Sequence, residues 1–466
     1  MATDAPTTKP HQRRPDLDEL YCINPDGSRN TIHPADVRGR YQTRKKLIWT
    51  ILIATYLVLP WLRIGDHPAI LLDIEHRNFF LFGNTFNAQD FWLAFFVLTG
   101  IGFTLFVISA LFGRLWCGYG CPQTVFLDGV FRRVERWIDG SAAARKRLQQ
   151  SGWTAEKVLR RGAKWGIYLA ISFVLSHTLL GYFIPVRDVV QATTQSPAHH
   201  PTAFVFALIA MVIIYFNFTW FREQLCIVIC PYGRLQGVLY DADTINVGYD
   251  ATRGEPRGRY AEEKRGDCID CYRCVAVCPT GIDIRNGTQL ECIGCANCVD
   301  ACDEVMAKLG QAPGLVRYDS QRGLEGGKRR FVRPRLFFYI VMFLIGVTVF
   351  AFAASERTPY ELDVLRQRGA PYTIDNGVVQ NSFTVRIFNK QPDKHTFELV
   401  LPAMPGVEFT APIRQIELDS LANQKLPVFV RCKEDGFEHG REVVFEVRSD
   451  LGVQTSKVPL VGPNKK

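Results

Sequence analysis

Five runs of apolar residues, at 47–62, 91–112, 165–184, 203–221 and 336–354, limit what this 466-residue chain can become. Most are close to the roughly 20 residues that a helix needs to cross about 30 Å of hydrocarbon. Within a bilayer only helices and closed barrels satisfy every backbone polar group. Runs that are apolar on all sides, without alternation, read as helices. The chain is therefore expected to be a multi-pass α-helical membrane protein with five spans. The run at 47–62 is the shortest and ends in Leu59-Pro60-Trp61-Leu62. Burial of the same helices in a large soluble core is the competing reading, and the run lengths weigh against it.

The placement of charge says more than the formal net charge of +9. Arg44, Lys45 and Lys46 precede the first run. The 113–164 segment holds Arg114, Arg132, Arg133, Arg136, Arg145, Arg160, Arg161 and several lysines, and 222–335 is also basic. By contrast, 63–90 has only Arg63 and Arg77, and 185–202 only Arg187. Basic and non-basic connections alternate. That pattern predicts a cytoplasmic N-terminus, 113–164 and 222–335, with 355–466 on the opposite side. The first forty residues are polar and read as a cytoplasmic tail without a signal peptide. The basic residues follow membrane ends and are not interleaved with aromatics, so lipid, and not nucleic acid, is the expected partner.

The resulting map has a tail at 1–46, two spans with an outer loop at 47–112 and a basic loop at 113–164. Two more spans follow at 165–221, a second basic segment at 222–335 and a fifth span at 336–354. Residues 355–466 differ in kind. Short runs such as Ser382–Phe388 alternate, placing Phe383, Val385 and Ile387 on one face. Six or seven such strands predict an all-β immunoglobulin-like sandwich. With Cys432 as its lone cysteine it holds no internal disulfide.

The strongest chemical signal lies in the second basic segment. "CIDCYRCVAVCP" (268–279) and "CIGCANCVDAC" (292–302) each contain Cys-x2-Cys-x2-Cys-x3-Cys. This is the bacterial ferredoxin pattern for 4Fe–4S clusters, in which the fourth cysteine of each run reaches the other cluster. Cys268, Cys271, Cys274 and Cys302 are thus expected to hold one cluster, and Cys278, Cys292, Cys295 and Cys298 the second. A ferredoxin domain is expected at about 258–312. Zinc sites use more widely separated pairs, and a disulfide framework does not suit a reducing compartment. Neither "RGEPRGRY" nor "GLEGGK" has dinucleotide-loop spacing, so one-electron transfer is expected and not hydride chemistry.

Two further cysteine pairs end apolar runs: "LWCGYGCP" (115–122) and "LCIVICPY" (225–232). Cys117 and Cys121, like Cys226 and Cys230, are four apart and so share a helix face. Pro122 and Pro231 push the preceding cysteine out of helical geometry, so each pair should straddle a helix end. Three readings stay open from the residues alone: copper-binding or redox dithiols, a joint site for a third metal centre, and inert buried thiols. His177, inside the third run, is a further candidate because ionisable groups within spans are costly.

The set of motifs resembles the cytochrome oxidase accessory proteins of the CcoG/FixG/RdxA type. "LLDIEHRNFFLFGNTFNAQDFW", "LFGRLWCGYGCPQTVF", "REQLCIVICPYGRLQ", the double ferredoxin run and the terminal sandwich follow the family's order over nearly the whole chain. The departure is Asp303, where a proline would complete the second run. The resemblance implies a bacterial inner-membrane protein with a periplasmic C-terminal domain. It implies a cupric reductase that supplies copper(I), copper being its substrate, for assembly of a cbb3-type cytochrome c oxidase. Its partners would be oxidase biogenesis factors or copper chaperones and an unidentified electron donor. The family's paired motifs fall on Cys117, Cys121, Cys226 and Cys230. The alternative is an electron-relay subunit, fed by quinol or a ferredoxin-type donor, of a larger membrane oxidoreductase.

Overall fold

Among the described residues of the computed structural model, four helices are long and apolar enough to cross a membrane: Leu93–Phe112, Ala155–Leu180, Pro201–Phe221 and Pro334–Ser355. Their side chains face outward: Phe95, Leu98, Ile209, Ile213, Phe337 and Phe352 are all more than half exposed. Apolar surface on that scale is stable only against lipid or a partner. The first expected span differs. Its helix is Arg40–Val58, which opens on a basic turn and gives way to the 3-10 turn Leu59–Trp61 at Pro60. Basic residues in its first turns lower its mean hydropathy, and it is not among the four.

The structure describes residues 31–64, 67–75, 78–87, 91–258, 266–328, 330, 333–356, 358–367, 369–391 and 393–463. The chain divides into two units, one of Met1–Leu71 with Phe95–Thr348, the other of Leu72–Ala94 with Val349–Lys466. Residues 1–30 of the expected tail lie outside the described residues. From residue 31 the chain is not a free tail. Ala35 N–H donates to the Ala276 carbonyl at 2.7 Å, and Val37 packs on Val277 and Ala301. The 113–164 segment is helical and not a loop, with Leu115–Tyr119, Pro122–Phe126, Arg132–Asp139 and Ala142–Gln150 joined in series.

The ferredoxin fold is larger than 258–312. Asn246–Tyr249 pairs antiparallel with Val316–Asp319 and closes it from both ends. Its core is built of Val247, Ile282, Ile284, Val299, Met306 and Leu315, together with buried cysteines. Helix Asn297–Lys308 runs six residues past Cys302. That continuation explains Asp303: a proline there would break the helix, whereas helix Arg273–Ala276 has already ended before Pro279.

The second unit contains the β-sandwich. One sheet orders Val407–Thr410, Asn423–Lys433, Val378–Asn389 and Tyr360–Arg366, with Thr373–Asp375 also on Val378–Asn389. The other orders Gln415–Leu418, His395–Val400, Glu442–Ser449 and Gly452–Pro459. Burial alternates along Val378–Asn389, and Phe383, Val385 and Ile387 are within 1 % of complete burial. They meet Phe397, Leu399, Val428, Val443 and Phe445 between the sheets.

Candidate functional site

The two cysteine runs form two loops with one backbone plan. Asp270 and Tyr272 in the first, and Gly294 and Ala296 in the second, all take the left-handed conformation at equivalent positions. Alternation of this kind turns backbone N–H groups toward a common centre that suits an anion. Burial raises the Cys292 and Cys295 thiols, and the Gly294 and Asn297 N–H groups respectively oppose it.

Two cavities result. Cys268, Cys271, Cys274 and Cys302 line one, with about 360 Å³ of atom-free space and otherwise mostly apolar walls including Ile269, Met306 and Val316. Cys278, Cys292, Cys295 and Cys298 line the other, of about 340 Å³, with Val247, Ile282 and Ile293. Cys274 touches both. The grouping is the crossed one, in which the last cysteine of each run joins the other run's first three. Among the described residues no three of His, Cys, Asp and Glu converge as a single metal ion requires. Thiols held apart around an apolar cavity fit a cubane, whose iron corners are separated, better than one tetrahedral zinc.

The other pairs sit at helix junctions, each in a widened turn. Cys121 N–H bonds the Trp116 carbonyl at 2.9 Å and Cys230 N–H the Leu225 carbonyl at 2.8 Å. Both bonds reach back five residues, one more than in an α-helix. Cys121 then caps Pro122–Phe126, and Cys230 caps Pro231–Leu239, both with extended backbone. Proline in the first helical position makes these ends, since it needs no N–H partner there. The four thiols are near enough for their charges to act on one another, but, like the other cysteines, among the described residues they do not converge as a single metal ion requires. Burial pushes Cys117 up to about 12 and Cys226 higher, so both are neutral thiols in water at neutral pH. A metal ion binding there must displace protons. The Cys117 Sγ–H points to Gln236 Oε1 at 3.7 Å, and Gln236 is fully buried.

The group is seated on the second cysteine loop. A Cβ on Gly118 would lie 2.9 Å from Cys295 Cα and from the Ile293 carbonyl oxygen. A Cβ on Gly294 would lie 3.1 Å from the Arg114 carbonyl oxygen. Backbone thus rests on backbone where only glycine fits. Buried ion pairs brace the arrangement. Arg222, left-handed between the turns Asn217–Phe221 and Leu225–Ile229, donates to Glu135 at 2.9 Å. Burial would raise Glu135, but Arg222 outweighs it and holds the carboxyl down to about 2. Arg132 joins Asp128, Glu223 and the Pro279 carbonyl beside Cys278.

Sequence reasoning counted Arg114, Arg132 and Arg145, and the basic segment that begins at Arg222, as markers of sidedness. The structure buries them around the site. Gln236 and Tyr240 went unnoticed; their one signal was proximity to "CPYGRLQ". His177 stands apart from the cysteines. Its Nδ1 pairs with the Phe173 carbonyl of its own helix at 2.8 Å, and its ring lies 3.9 Å from the Phe173 ring.

Comparison with known proteins places these features in a family. Residues 221–321 match a 4Fe-4S dicluster domain, 92–140 a 4Fe-4S binding domain, and 350–463 the IG-like fold at the C-terminal of FixG, putative oxidoreductase. The chain is 38% identical to Protein RdxA of Cereibacter sphaeroides, over 81% of this chain and 84% of RdxA. It is 34% identical to the Nitrogen fixation protein FixG of Rhizobium meliloti, over 86% and 85%. Protein RdxB of Cereibacter sphaeroides is 36% identical over 80% and 82%. With its 4Fe–4S domains, its apolar helices and its terminal sandwich, the chain belongs to the FixG/RdxA family of membrane iron–sulfur electron-transfer proteins.

Proposed function

We propose that this protein is a membrane metal-ion reductase that takes single electrons from a cytoplasmic donor and reduces copper(II) to copper(I) for assembly of a cbb3-type cytochrome c oxidase. Cys268, Cys271, Cys274 and Cys302 hold one 4Fe–4S cluster, and Cys278, Cys292, Cys295 and Cys298 the second. When bound, the clusters supply one-electron storage. Cys117, Cys121, Cys226 and Cys230 hold the copper. Thiolates bind copper(I) more tightly than copper(II) and so draw the reduction forward. As the ion enters, the thiols release their protons to water, and the Gln236 amide, which accepts from Cys117 Sγ–H, must turn to offer its NH2 group to the thiolate.

The observation that carries this reading is the seating of Gly118 on the Cys295 loop. It brings the copper thiols next to the second cluster with no intervening side-chain layer at that point. The topology proposed with it has residues up to 46, 113–164 and 222–335 in the cytoplasm and the sandwich in the periplasm. The Arg40–Val58 helix inserts as a fifth membrane element. Oxidase assembly factors or copper chaperones would receive the copper(I).

The test is copper(II) reduction by the purified full-length protein with a chemical donor. The wild type should reduce copper(II) alone, and a Cys117→Ala/Cys121→Ala variant with unchanged iron should not. Equal rates in the two would remove the first pair from the reaction. Activity that appears only with a partner complex would favour the electron-relay reading. A second use of the four cysteines has its own support, because residues 92–140 match a 4Fe-4S binding domain. About eight irons per chain fits two clusters, and about twelve fits a third cluster at these cysteines.

A further inference from the structure

A cleft lies between segment 34–38, the start of helix Arg40–Val58 and helix Arg132–Asp139, with about 1300 Å³ of atom-free space open to solvent. Its wall is basic. Arg38, Lys46, Arg132, Arg133, Arg136 and Arg145 all line it, against two carboxylates, Asp36 and Asp128. Both carboxylates are already engaged, Asp128 by Arg132 at 2.6 Å and Asp36 by Arg136. Arg145 lies 3.6 Å from Glu135, which Arg222 holds more closely at 2.9 Å. Arg38, Lys46 and Arg133 have no carboxylate within ion-pair distance among the described residues.

Like charges gathered in one concave wall repel, and the low-dielectric protein behind them concentrates their field on the space they enclose. Hydrogen-bond donors are left over as well. The Nε of Arg132 and that of Arg145 are buried without a partner, and Arg145 is only 6 % exposed. An unmade bond at a buried donor is unfavourable. The Gln42 amide also lines the cleft with its Oε1 unpartnered, and turning it end for end presents an NH2 group. A planar guanidinium offers paired donors that match two oxygens of a phosphate. A phosphate group therefore answers both the charge and the donors.

The cleft stands where the chain passes into apolar surroundings. Directly after Lys46, helix Arg40–Val58 carries Leu47, Ile48, Ile51 and Leu52, each more than a third exposed. Trp137, beside Arg136, is 79 % exposed, as suits an aromatic at a membrane–water boundary. Basic pockets at that level receive anionic headgroups. We infer that this cleft binds the phosphate of an anionic phospholipid headgroup, with Lys46 and Arg133 as its free cations and Arg132 and Arg145 as further donors. The site is independent of what the cysteines hold. Its far wall is Pro279 and Asn297, next to Cys278 and Cys298, so the headgroup joins two helices to the ferredoxin fold. Segment 34–38 is pinned over it from both sides. Arg145 donates to the Pro34 carbonyl and Arg273 to the Asp36 carbonyl, each at 2.8 Å.

The test is native mass spectrometry of the full-length protein in detergent, titrated with phosphatidylglycerol and, separately, with phosphatidylcholine of the same chains. Phosphatidylglycerol should bind roughly tenfold more tightly or better, because the choline cation meets the same basic wall. Lys46→Gln/Arg133→Gln should lose most of that preference. Both residues are exposed and outside ion pairs, so the variant should fold. Lys146→Gln/Arg147→Gln removes the same charge from exposed positions outside the cleft and should keep the preference. An equal loss in both variants, or no preference in the wild type, would overturn the site and leave only general surface charge. Inorganic phosphate is the third arm. If millimolar phosphate abolishes the lipid preference and raises the thermal midpoint of the wild type, but not of Lys46→Gln/Arg133→Gln, as much as phosphatidylglycerol does, the cleft takes soluble phosphate and the lipid assignment falls.

Discussion

The two Cys-x-x-x-Cys-Pro motifs are the same turn set in different surroundings. Each closes a five-residue backbone bond onto the second cysteine and starts a helix at the proline. The first rests on the second ferredoxin loop through Gly118 and Gly294. The second meets the residue that leads into the first motif: the Arg114 guanidinium donates to the Gly233 carbonyl. Repetition in the sequence therefore conceals an order. One pair borders the second ferredoxin loop, and the other lies on the far side of the first pair's Arg114.

Removing each pair gives the largest expected effect. Cys117→Ala/Cys121→Ala and Cys226→Ala/Cys230→Ala should each lower copper(I) affinity about 100-fold or more if the four thiols are one site. Copper titration against a competing chelator measures this. Two sites that fill independently, with half the copper surviving in each variant, would break the comparison.

The brace between the motifs comes next. Glu135→Gln leaves Arg222 and Arg145 buried beside an uncharged amide, which should cost about 3–5 kcal/mol. A fall in thermal midpoint of the solubilised protein reads it out. The pH dependence has a definite sign. The folded carboxyl titrates at about 2, below its ordinary 4.5, so its contribution is complete above about 4.5 and fades as pH falls toward 2. The Gln variant should lack that acid-side loss.

A bulkier residue at the seat should separate the two halves. Gly118→Val places side-chain carbon against the Cys295 backbone, at a cost of about 2 kcal/mol. Iron content should hold while copper(II) reduction slows. Gly162→Val is the control, because nothing lies within 4 Å of a Cβ there. An equal effect from the control would remove the seat from the argument. The smallest effect is expected from Gln236→Leu. The bond from Cys117 is long and weak at 3.7 Å, so copper affinity should fall only a few-fold, within the order of 1 kcal/mol.

Much of the site was legible because spacing alone dictates it. A Cys-x2-Cys-x2-Cys-x3-Cys run can curl only so tightly, and the crossed grouping into the two cavities follows the expected ligand sets. The sandwich face at Phe383, Val385 and Ile387 was legible from a period of two, because alternate strand residues point the same way. Less could be read from charge. Arg132, Arg145 and Arg222 entered the sequence as sidedness signals, yet they are buried in ion pairs whose partners lie up to 91 residues away. The bounds of the first helix were only partly legible for a related reason. An apolar run at 47–62 does not reveal that its helix begins at Arg40, or that Lys45 turns inward to Asn297.

The sequence by itself determined the inventory: five apolar runs, four of which are helices long enough to cross a membrane among the described residues, two ferredoxin loops, two cysteine–proline turns and a sandwich. Each of these is local, fixed by periodicity, by the reach of a short loop or by the missing N–H of proline. Only the tertiary structure decided which loop meets which turn, and which buried cations meet a carboxylate among the described residues. Those outcomes depend on backbone contact between residues far apart in the chain, as at Gly118 and Cys295, and on carboxylates that fold beside Arg285 but not beside Arg114.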